Sequence, residues 1–257
     1  MIKNRSRRYV VNTKYGLVVH SAGLAHMIPK TKIESQRFFD VNYQGTINLC
    51  TALESTPPVT FVFISTIAVY GKEIGKKIEE DTYLGGKTPY AKSKIQAEFY
   101  LQTWCEKFSI NLVILRLPLV AGSDAKGNLG AMVEGIKKGY YFNIKDSEAK
   151  KSIVLAEDVA HLIPNLTGHK GIYNLAGDKD YTFQEISDIV SHQLGNKKVL
   201  SLPNWIVKLL SKIGDMFRFS PLNKATYMKM TNDLTVSAEK AKNELGWNPK
   251  ALSNYRI

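Results

Sequence analysis

Short apolar runs alternate with longer helix-forming segments in the first half of the chain, and this alternation constrains the fold more than any other feature. Residues 16–23, 59–64 and 110–120 have the length and apolar character of strands buried on both faces. The segments between them, residues 33–54 and 90–108, have the composition and apolar spacing of helices. This order predicts an α/β fold with a parallel sheet and helices on both of its faces.

The second strand and the helix after it carry side chains suited to acid/base chemistry. Ser65 and Thr66 come where the strand ends, which is where open α/β sheets place their ligands. Tyr90 and Lys94 are four residues apart in the following helix, so their side chains lie on one face about one turn apart. A phenol and an ammonium group in this arrangement could act as one acid/base unit.

The Tyr-x-x-x-Lys spacing occurs three times, so its context has to decide which pair is functional. The three pairs are Tyr83/Lys87, Tyr90/Lys94 and Tyr141/Lys145. Gly85 and Gly86 interrupt the first pair and are poor residues for a helix interior. The third pair follows no strand that ends in hydroxyls. Because only Tyr90/Lys94 follows a proline at a helix start and opens a long helix-forming run, we predict that this pair is functional.

The composition is that of an ordinary globular protein, with 44% hydrophobic and 23% charged residues. Cys50 and Cys105 stand alone without metal-ligand spacing, so we expect reduced, buried thiols, no metal site and a cytoplasmic location. No apolar stretch is long enough to span a bilayer, and the basic start of the chain lacks the apolar core of a secretory signal.

The formal net charge of +12 has two interpretations. It could mark a nucleic-acid surface, because neutralising phosphates drives such binding. Alternatively, the lysines are solvated surface residues, some of which assist binding of an anionic small substrate. Only Arg5, Arg7 and Arg8 form a real cluster, and no RNA- or DNA-binding motif is present. We therefore expect no nucleic-acid partner and keep a basic RNA- or anion-binding protein as a remote alternative.

Two amphipathic helices are predicted in the last third of the chain. The first covers residues 182–194, where Thr182 and Glu185 have the spacing of a capping box. The second begins near residue 203 and carries lysines opposite a continuous apolar stripe, namely Trp205, Ile206, Leu209, Leu210, Ile213, Met216 and Phe217. We expect this stripe to pack against the rest of its domain, with a membrane surface as the alternative.

Nine short motifs in a fixed order give the chain a family resemblance. They are VVHSAG (18–23), DVNYQGTINL (40–49), FISTIAVYG (63–71), PYAKSK (89–94), LRLPLVAG (115–122), KGN (126–128), KSIVLAEDVA (151–160), YNLAG (173–177) and ELGWNP (244–249). With them the chain resembles an extended short-chain dehydrogenase/reductase of the NAD-dependent epimerase/dehydratase family. Within that family it is similar to bacterial polysaccharide-pathway enzymes acting on UDP-N-acetylhexosamine derivatives.

The resemblance implies a partial Rossmann-like parallel sheet with helices on both faces, plus a smaller C-terminal α/β lobe. Residues 1–122 would form a truncated NAD(P)-binding domain, with returning segments near residues 151–177. Residues 123–150 and 178–257 would form the small substrate-binding lobe. A homodimer through helices 33–54 and 90–108 is also implied.

The resemblance assigns catalytic roles to Thr66, Tyr90 and Lys94. Tyr90 would exchange a proton with a sugar hydroxyl while hydride passes between the sugar and the nicotinamide. A free Tyr has a pKa near ~10, so it needs help at neutral pH. Lys94 would lower that pKa and hydrogen-bond the nicotinamide ribose, and Thr66 would hold the reacting oxygen in line.

Further residues are implied to bind the cofactor and the substrate. The cofactor-binding set adds the residues of the nicotinamide pocket and its supports, namely His20, Ala22, Gly23, Asn42, Ser65, Leu117 and Pro118. His20 is at least as often structural at such a strand end. Asn128 and Lys151 match positions that contact the nucleotide diphosphate. Many relatives carry Arg at the second position, so bidentate phosphate binding would be lost with lysine.

The chain departs from the family in having no GxGxxG or GxxGxxG turn. That turn grips the cofactor pyrophosphate, so the adenosine half of the NAD or NADP site is expected to be missing, and the strand near residue 17 to have an exposed edge. The chain is then an active epimerase or 4-keto reductase, or a truncated and inactive relative that at most binds a nucleotide sugar. Ile67 and Ala68 replace the acidic pair of dehydratases, which argues against dehydration.

Overall fold

The computed structural model describes residues 10–123, 127–215 and 222–254. Its strands are β1 (Leu17–His20), β2 (Thr60–Thr66), β3 (Gly75–Ile78), β4 (Asn111–Leu117), β5 (Leu119–Ala121), β6 (Phe142–Ile144), β7 (Lys150–Lys151), β8 (Ile153–Leu155), β9 (Gly171–Asn174), β10 (Tyr181–Thr182), β11 (Leu200–Leu202) and β12 (Leu234–Val236). Its α-helices are α1 (Lys32–Phe38), α2 (Gly45–Leu53), α3 (Pro89–Lys107), α4 (Gly127–Lys138), α5 (Ala156–Leu162), α6 (Phe183–Gln193), α7 (Asn204–Gly214), α8 (Lys224–Thr231) and α9 (Glu239–Leu245). Within these residues, no helix has both the length and the hydropathy needed to cross a membrane.

Several residues singled out in the sequence lie outside the described ranges. These are Arg5, Arg7 and Arg8 of the basic cluster, and Met216 and Phe217 of the apolar stripe.

The first of two compact units is built around a four-stranded sheet. It comprises the described residues up to Gly71, together with Tyr83–Arg116 and Leu162–Tyr173. The sheet order is β1-β2-β4-β9, and β1 runs parallel to β2 with Leu17 opposite Thr60. Helices pack on it through a buried apolar cluster that includes Cys50, Phe61, Phe63, Leu101, Trp104, Cys105 and Ile114. Both cysteines are free and buried. The parallel strands and the helices packed on them confirm the predicted α/β fold.

The predicted helix over residues 33–54 is present, but its winding changes in the middle. It begins with a capping box between Thr31 and Glu34 and continues as α1. Residues Phe39–Gln44 then form a π-helix before α2 begins. A π-turn widens the helix locally and is frequent at functional sites. Here it contains Asn42, which is 1% exposed.

Helix α3 begins where the sequence predicted. Thr88 is its N-cap, the hydroxyl accepts a hydrogen bond from Ala91 N at 3.1 Å, and Pro89 occupies the first turn. Proline suits that turn because its missing N–H would be unpaired there in any helix. Tyr90 and Lys94 therefore lie in the first two turns, on a helix fixed from its first residue.

The second compact unit comprises Lys72–Thr82, Leu117–His161 and the described residues from Asn174 onward. It contains a four-stranded sheet of order β10-β7-β12-β3 and the strand pairs β5-β8 and β11-β6. Pro118 ends β4, as expected of a residue that cannot donate to a ladder, and the next strand pairs in parallel with β8. Because of that pairing, residues 117–122 and 151–161 belong to this unit. The division into a cofactor part and a substrate part stays a prediction.

Helix α6 confirms its predicted capping box, in which Glu185 N donates to Thr182 Oγ1 at 3.1 Å. In contrast, the expectation that the apolar stripe of the next helix packs against its own domain is wrong for four of its five described residues, and only Ile206 is half-buried. Trp205, Leu209, Leu210 and Ile213 are 69%, 52%, 40% and 45% exposed. The face of α7 that is buried is a different and narrower one.

Candidate active site

Thr66 and Tyr90 meet at the carboxyl end of β2. Thr66 is the last residue of the strand, and its hydroxyl caps the following 3₁₀ turn by accepting from Ala68 N at 3.2 Å. The same hydroxyl lies near the Tyr90 phenol and acts to lower the pKa of that phenol. A hydroxyl that accepts one backbone hydrogen bond keeps its own proton for donation. Thr66 can therefore donate to the phenol oxygen or to a substrate oxygen beside it.

Burial raises the pKa of Tyr90 above its ordinary value, and the neighbouring Thr66 hydroxyl opposes that shift. The phenol is therefore protonated at neutral pH in the protein without ligands. The resemblance implied that Lys94 lowers this pKa, whereas in this structure burial dominates. Further positive charge near the phenol would be needed to produce the phenolate.

Lys94 is held inside the protein, with 4% of its surface exposed. Its Nζ donates to Ile64 O at 2.9 Å and lies 4.4 Å from the centroid of the Phe63 ring. Burial lowers the pKa of Lys94 to about 8, and the neighbouring Glu98 opposes the shift. The ammonium is therefore charged at neutral pH but close to its titration range.

The loop after β1 approaches this lysine at Gly23. A Cβ atom at that position would lie 3.2 Å from Asn42 Oδ1 and 3.4 Å from Lys94 Nζ, closer than most side-chain contacts. Asn42 Oδ1 accepts from Leu24 N at 2.6 Å, and its Nδ2 donates to Leu24 O and to Ser93 Oγ, both at 3.0 Å. The π-helix thus fixes the loop against α3.

The loop after β1 and the Lys94 ammonium leave space and a hydrogen-bond donor for a nicotinamide. Ala22 and Gly23 are exposed at the strand end, so a flat ring could approach the backbone there. The Lys94 ammonium beside them could donate to a ribose hydroxyl. The residues therefore fit the nicotinamide half of NAD or NADP. Whether the adenosine half is missing stays a prediction.

His20 has a structural environment. It is 6% exposed, its ring packs against Phe61 and Phe63, and Nε2 donates to Thr46 Oγ1 at 2.9 Å. Thr46 Oγ1 donates in turn to Asn42 O at 2.6 Å. Burial, assisted by Lys94, lowers the pKa of His20 to about 4. The neutral ring supports the π-helix, and its direct contact with a cofactor stays a prediction.

A buried ionic network surrounds the site, and sequence reasoning missed it. Arg116 Nη2 donates to Glu98 Oε2 at 2.7 Å, with the two side chains 2% and 0% exposed. Glu98 also accepts a short hydrogen bond from the Ser65 hydroxyl, and Arg116 Nη1 donates to Tyr70 OH at 3.1 Å. Two signals could have revealed it. Arg116 interrupts an apolar strand and so needs a buried partner, and Glu98 follows Lys94 by one helical turn.

The network joins β2 and α3, the two elements that carry the predicted catalytic residues, to β4 and to the turn after β2. Ser65 precedes Thr66 on β2, Tyr70 ends the turn that follows it, and Glu98 belongs to the helix of Tyr90. The hydrogen bond from Ser65 therefore fixes α3 against the end of β2, and the ion pair fixes it against β4.

Comparison with known proteins identifies the family to which this site belongs. The sequence profile of the NAD dependent epimerase/dehydratase family matches residues 2–176. The chain belongs to this family. The resemblance drawn from the sequence motifs is confirmed.

Relatives in the family differ in how much of their length is matched. A UDP-glucose 4-epimerase of Vibrio cholerae is 24% identical over 247 residues, which are 91% of this chain and 72% of that protein. The N-acetyl-alpha-D-glucosaminyl-diphospho-ditrans,octacis-undecaprenol 4-epimerase of Escherichia coli O157:H7 is 27% identical over 172 residues, which are 64% of this chain and 51% of that protein. The chain thus spans about half of the second relative.

A solved structure shows the same fold. UDP-glucuronic acid 4-epimerase from Bacillus cereus, in complex with UDP-glucuronic acid and NAD, superimposes with a TM-score of 0.71 at 18% identity. The match covers 93% of this chain and 72% of that one.

In this family member, the remaining predicted site residues belong to the second unit. Leu117 is buried, Pro118 is half-buried and Asn128 is exposed in the first turn of α4. Lys151 is 5% exposed, its Nζ donates to Asn232 O at 2.8 Å, and burial lowers its pKa to about 8. Their contacts with cofactor or diphosphate stay predictions. Among the described residues, no three His, Cys, Asp or Glu side chains are grouped as a metal site.

Proposed function

We propose that the chain is an NAD(P)-dependent epimerase or 4-keto reductase acting on a nucleotide sugar. One observation carries this proposal: the Tyr90 phenol lies near the Thr66 hydroxyl, one helical turn from the Lys94 ammonium beside Gly23. The arrangement supplies an acid/base, a donor for the reacting oxygen and a cation at the place where a nicotinamide fits.

NAD or NADP, held beside Gly23 and Lys94, would supply hydride transfer to and from the sugar carbon. Tyr90 would take the proton of the sugar hydroxyl as the carbonyl forms, or donate it in the reverse direction. Thr66 would donate to that oxygen and hold it in line. Because burial keeps Tyr90 protonated without ligands, the charge of Lys94 and of an oxidised cofactor would together favour the phenolate.

The substrate class follows from the chemistry common to the relatives. Their names specify UDP-glucose and an N-acetylglucosaminyl diphosphate, and both are sugars on a diphosphate. We assign a UDP-N-acetylhexosamine-type substrate in polysaccharide biosynthesis, with Asn128 and Lys151 on the diphosphate. The net charge of +12 favours such an anionic ligand.

Tyr90→Phe tests the assignment. We expect this variant to lose NAD-dependent conversion of UDP-N-acetylglucosamine, as measured by chromatography of the nucleotide sugars. Its melting temperature should change by only a few degrees. Tyr83→Phe is a matched control, because Tyr83 precedes Lys87 by the same spacing and is 84% exposed. Full activity in Tyr90→Phe would rule out the assigned role. A wild-type chain that UDP-N-acetylglucosamine stabilises but that never converts it would support the inactive relative.

We also infer a homodimer through the helices of the first unit. Ile33, Val41 and Phe99 are exposed on them, at 77%, 44% and 56%. Light scattering after size exclusion should give twice the chain mass of 28.8 kDa. A monomer at micromolar concentration would contradict this inference.

A further inference from the structure

Helix α7 presents a continuous apolar face to solvent. Trp205, Leu209 and Ile213 are four residues apart and form one stripe along its length, and all three are exposed. Leu210 widens the stripe. Exposed apolar patches formed by several large side chains mark interaction sites.

The opposite side of the helix anchors it. Val207 is fully buried, and Ser211 and Gly214 are buried beside it. Helix α8 packs along α7, and Tyr227 OH donates to Asn204 Oδ1 at 2.9 Å. Because the helix is held by its own narrow face, the apolar stripe is a surface of the folded unit. No described residue covers it.

Lysines border the stripe, which corrects the expectation from the sequence that they lie opposite it. At about 100° per residue, Lys208 and Lys212 project from the helix next to the line of Trp205 and Leu209, on the side away from Leu210. Both are exposed, and neither forms an ion pair with a described residue. The helix therefore combines an apolar stripe, with Trp205 at one edge, and a border of two lysines along that edge.

We propose that α7 binds the surface of an anionic lipid bilayer, with its apolar stripe below the headgroups and its lysines among them. An interfacial helix has this arrangement, since tryptophan suits the headgroup boundary and lysine side chains reach up to the phosphates. Charge decides between a bilayer and a second copy of the chain. A protein of net charge +12 is attracted to anionic lipid, whereas two stripes brought together would bring their lysine borders together as well. This surface does not depend on the proposed enzymatic function.

Trp205 provides a specific optical probe. The chain has three tryptophans, and Trp104 and Trp247 are 4% and 5% exposed, against 69% for Trp205. Mixing the protein with vesicles of phosphatidylcholine and phosphatidylglycerol should shift its emission to shorter wavelength. Brominated acyl chains in the same vesicles should quench the shifted emission. Trp205→Phe should remove the response while the protein still floats with the vesicles.

Paired variants separate the stripe from general stickiness. Leu209→Ser with Ile213→Ser should weaken vesicle binding about tenfold or more. The matched control is Ile74→Ser with Tyr140→Ser, which removes two apolar side chains that are 51% and 63% exposed elsewhere, and it should bind normally.

A second pair tests the charge. In the double variant Lys208→Gln with Lys212→Gln, each substitution should weaken binding to vesicles that contain phosphatidylglycerol by about fivefold. Binding to vesicles of phosphatidylcholine alone should not change. Lys137→Gln with Lys138→Gln on α4 removes the same charge elsewhere and should have little effect. The proposal is overturned if the protein fails to float with anionic vesicles, or if the serine variants bind as well as wild type. A blue shift that grows with protein concentration without lipid would assign the stripe to a second copy and also overturn it.

Discussion

Removing one partner of the buried ion pair between Glu98 and Arg116 should cause a large loss of folding stability. Both charges are almost completely removed from water, and the carboxylate also accepts from Ser65 while the guanidinium donates to Tyr70. Glu98→Leu would leave a buried guanidinium without its carboxylate partner. Arg116→Met would leave a carboxylate in the same position.

The magnitude follows from this burial. Removing one partner of a buried pair costs about 3–5 kcal/mol, because the remaining charge stays desolvated. At about 2–4 °C per kcal/mol for a chain of this size, each single variant should melt about 6–20 °C lower. The double variant should be far less destabilised than the sum of the two, since it removes both charges and leaves neither of them buried without the other.

Urea unfolding followed by circular dichroism, on both single variants and the double variant, measures this coupling. The control is Glu134→Gln, which breaks the exposed pair with Lys138 on α4 and should not change the midpoint measurably. The reasoning is refuted if either single variant costs less than about 1 kcal/mol, or if the double variant costs as much as the two singles added.

Three further predictions follow from individual residues. Burial lowers the pKa of His20 to about 4, so the unfolded chain binds a proton before the folded protein does as pH falls from about 6.5 to 4. The folded protein should lose about 3 kcal/mol of stability over that range. In urea unfolding at a series of pH values, His20→Gln should remove most of this loss. Burial lowers the pKa of Lys94 to about 8, so as pH rises the folded protein releases this proton before the unfolded chain does. The free energy of unfolding should therefore rise from pH 8 to 10. If Lys94→Met shows the same rise, Lys94 is not its source. Gly71 has φ +65°, and a Cβ there would lie 2.2 Å from Gly85 O, so Gly71→Ala should cost about 3 kcal/mol or more in urea unfolding. Gly195→Ala, at φ +80° with nothing within 4 Å, should cost only about 1 kcal/mol, and equal costs would show that the close packing at Gly71 is unimportant.

Local signals in the sequence were enough to place α3, which carries Tyr90 and Lys94. Thr88 and Pro89 mark its start, and the apolar strand ending in Thr66 marks the sheet edge opposite it. Pro118 likewise marked the end of its strand, since a missing N–H acts at its own position whatever the surroundings.

Features that depend on distant partners were not predictable in this way. Arg116 and Glu98 are 18 residues apart, and only the folded sheet and helix bring them together. Apolar periodicity in α7 revealed an amphipathic helix but not which face is buried. The buried face uses Val207, Ser211 and Gly214, whose small size allows close packing, while the larger residues remain outside.

The π-helix at Phe39–Gln44 makes the register of the chain part of the site. Its wider turn holds a residue more than an α-helical turn would, and Asn42 reaches both Leu24 and Ser93 from within it. A single-residue deletion there would leave an unbroken α-helix. It would also turn the residues on one side of the deletion by about 100° relative to those on the other. Asn42 and Thr46 could then no longer face the loop and the His20 ring together, so this stretch should tolerate substitution at its exposed positions far better than any change in length.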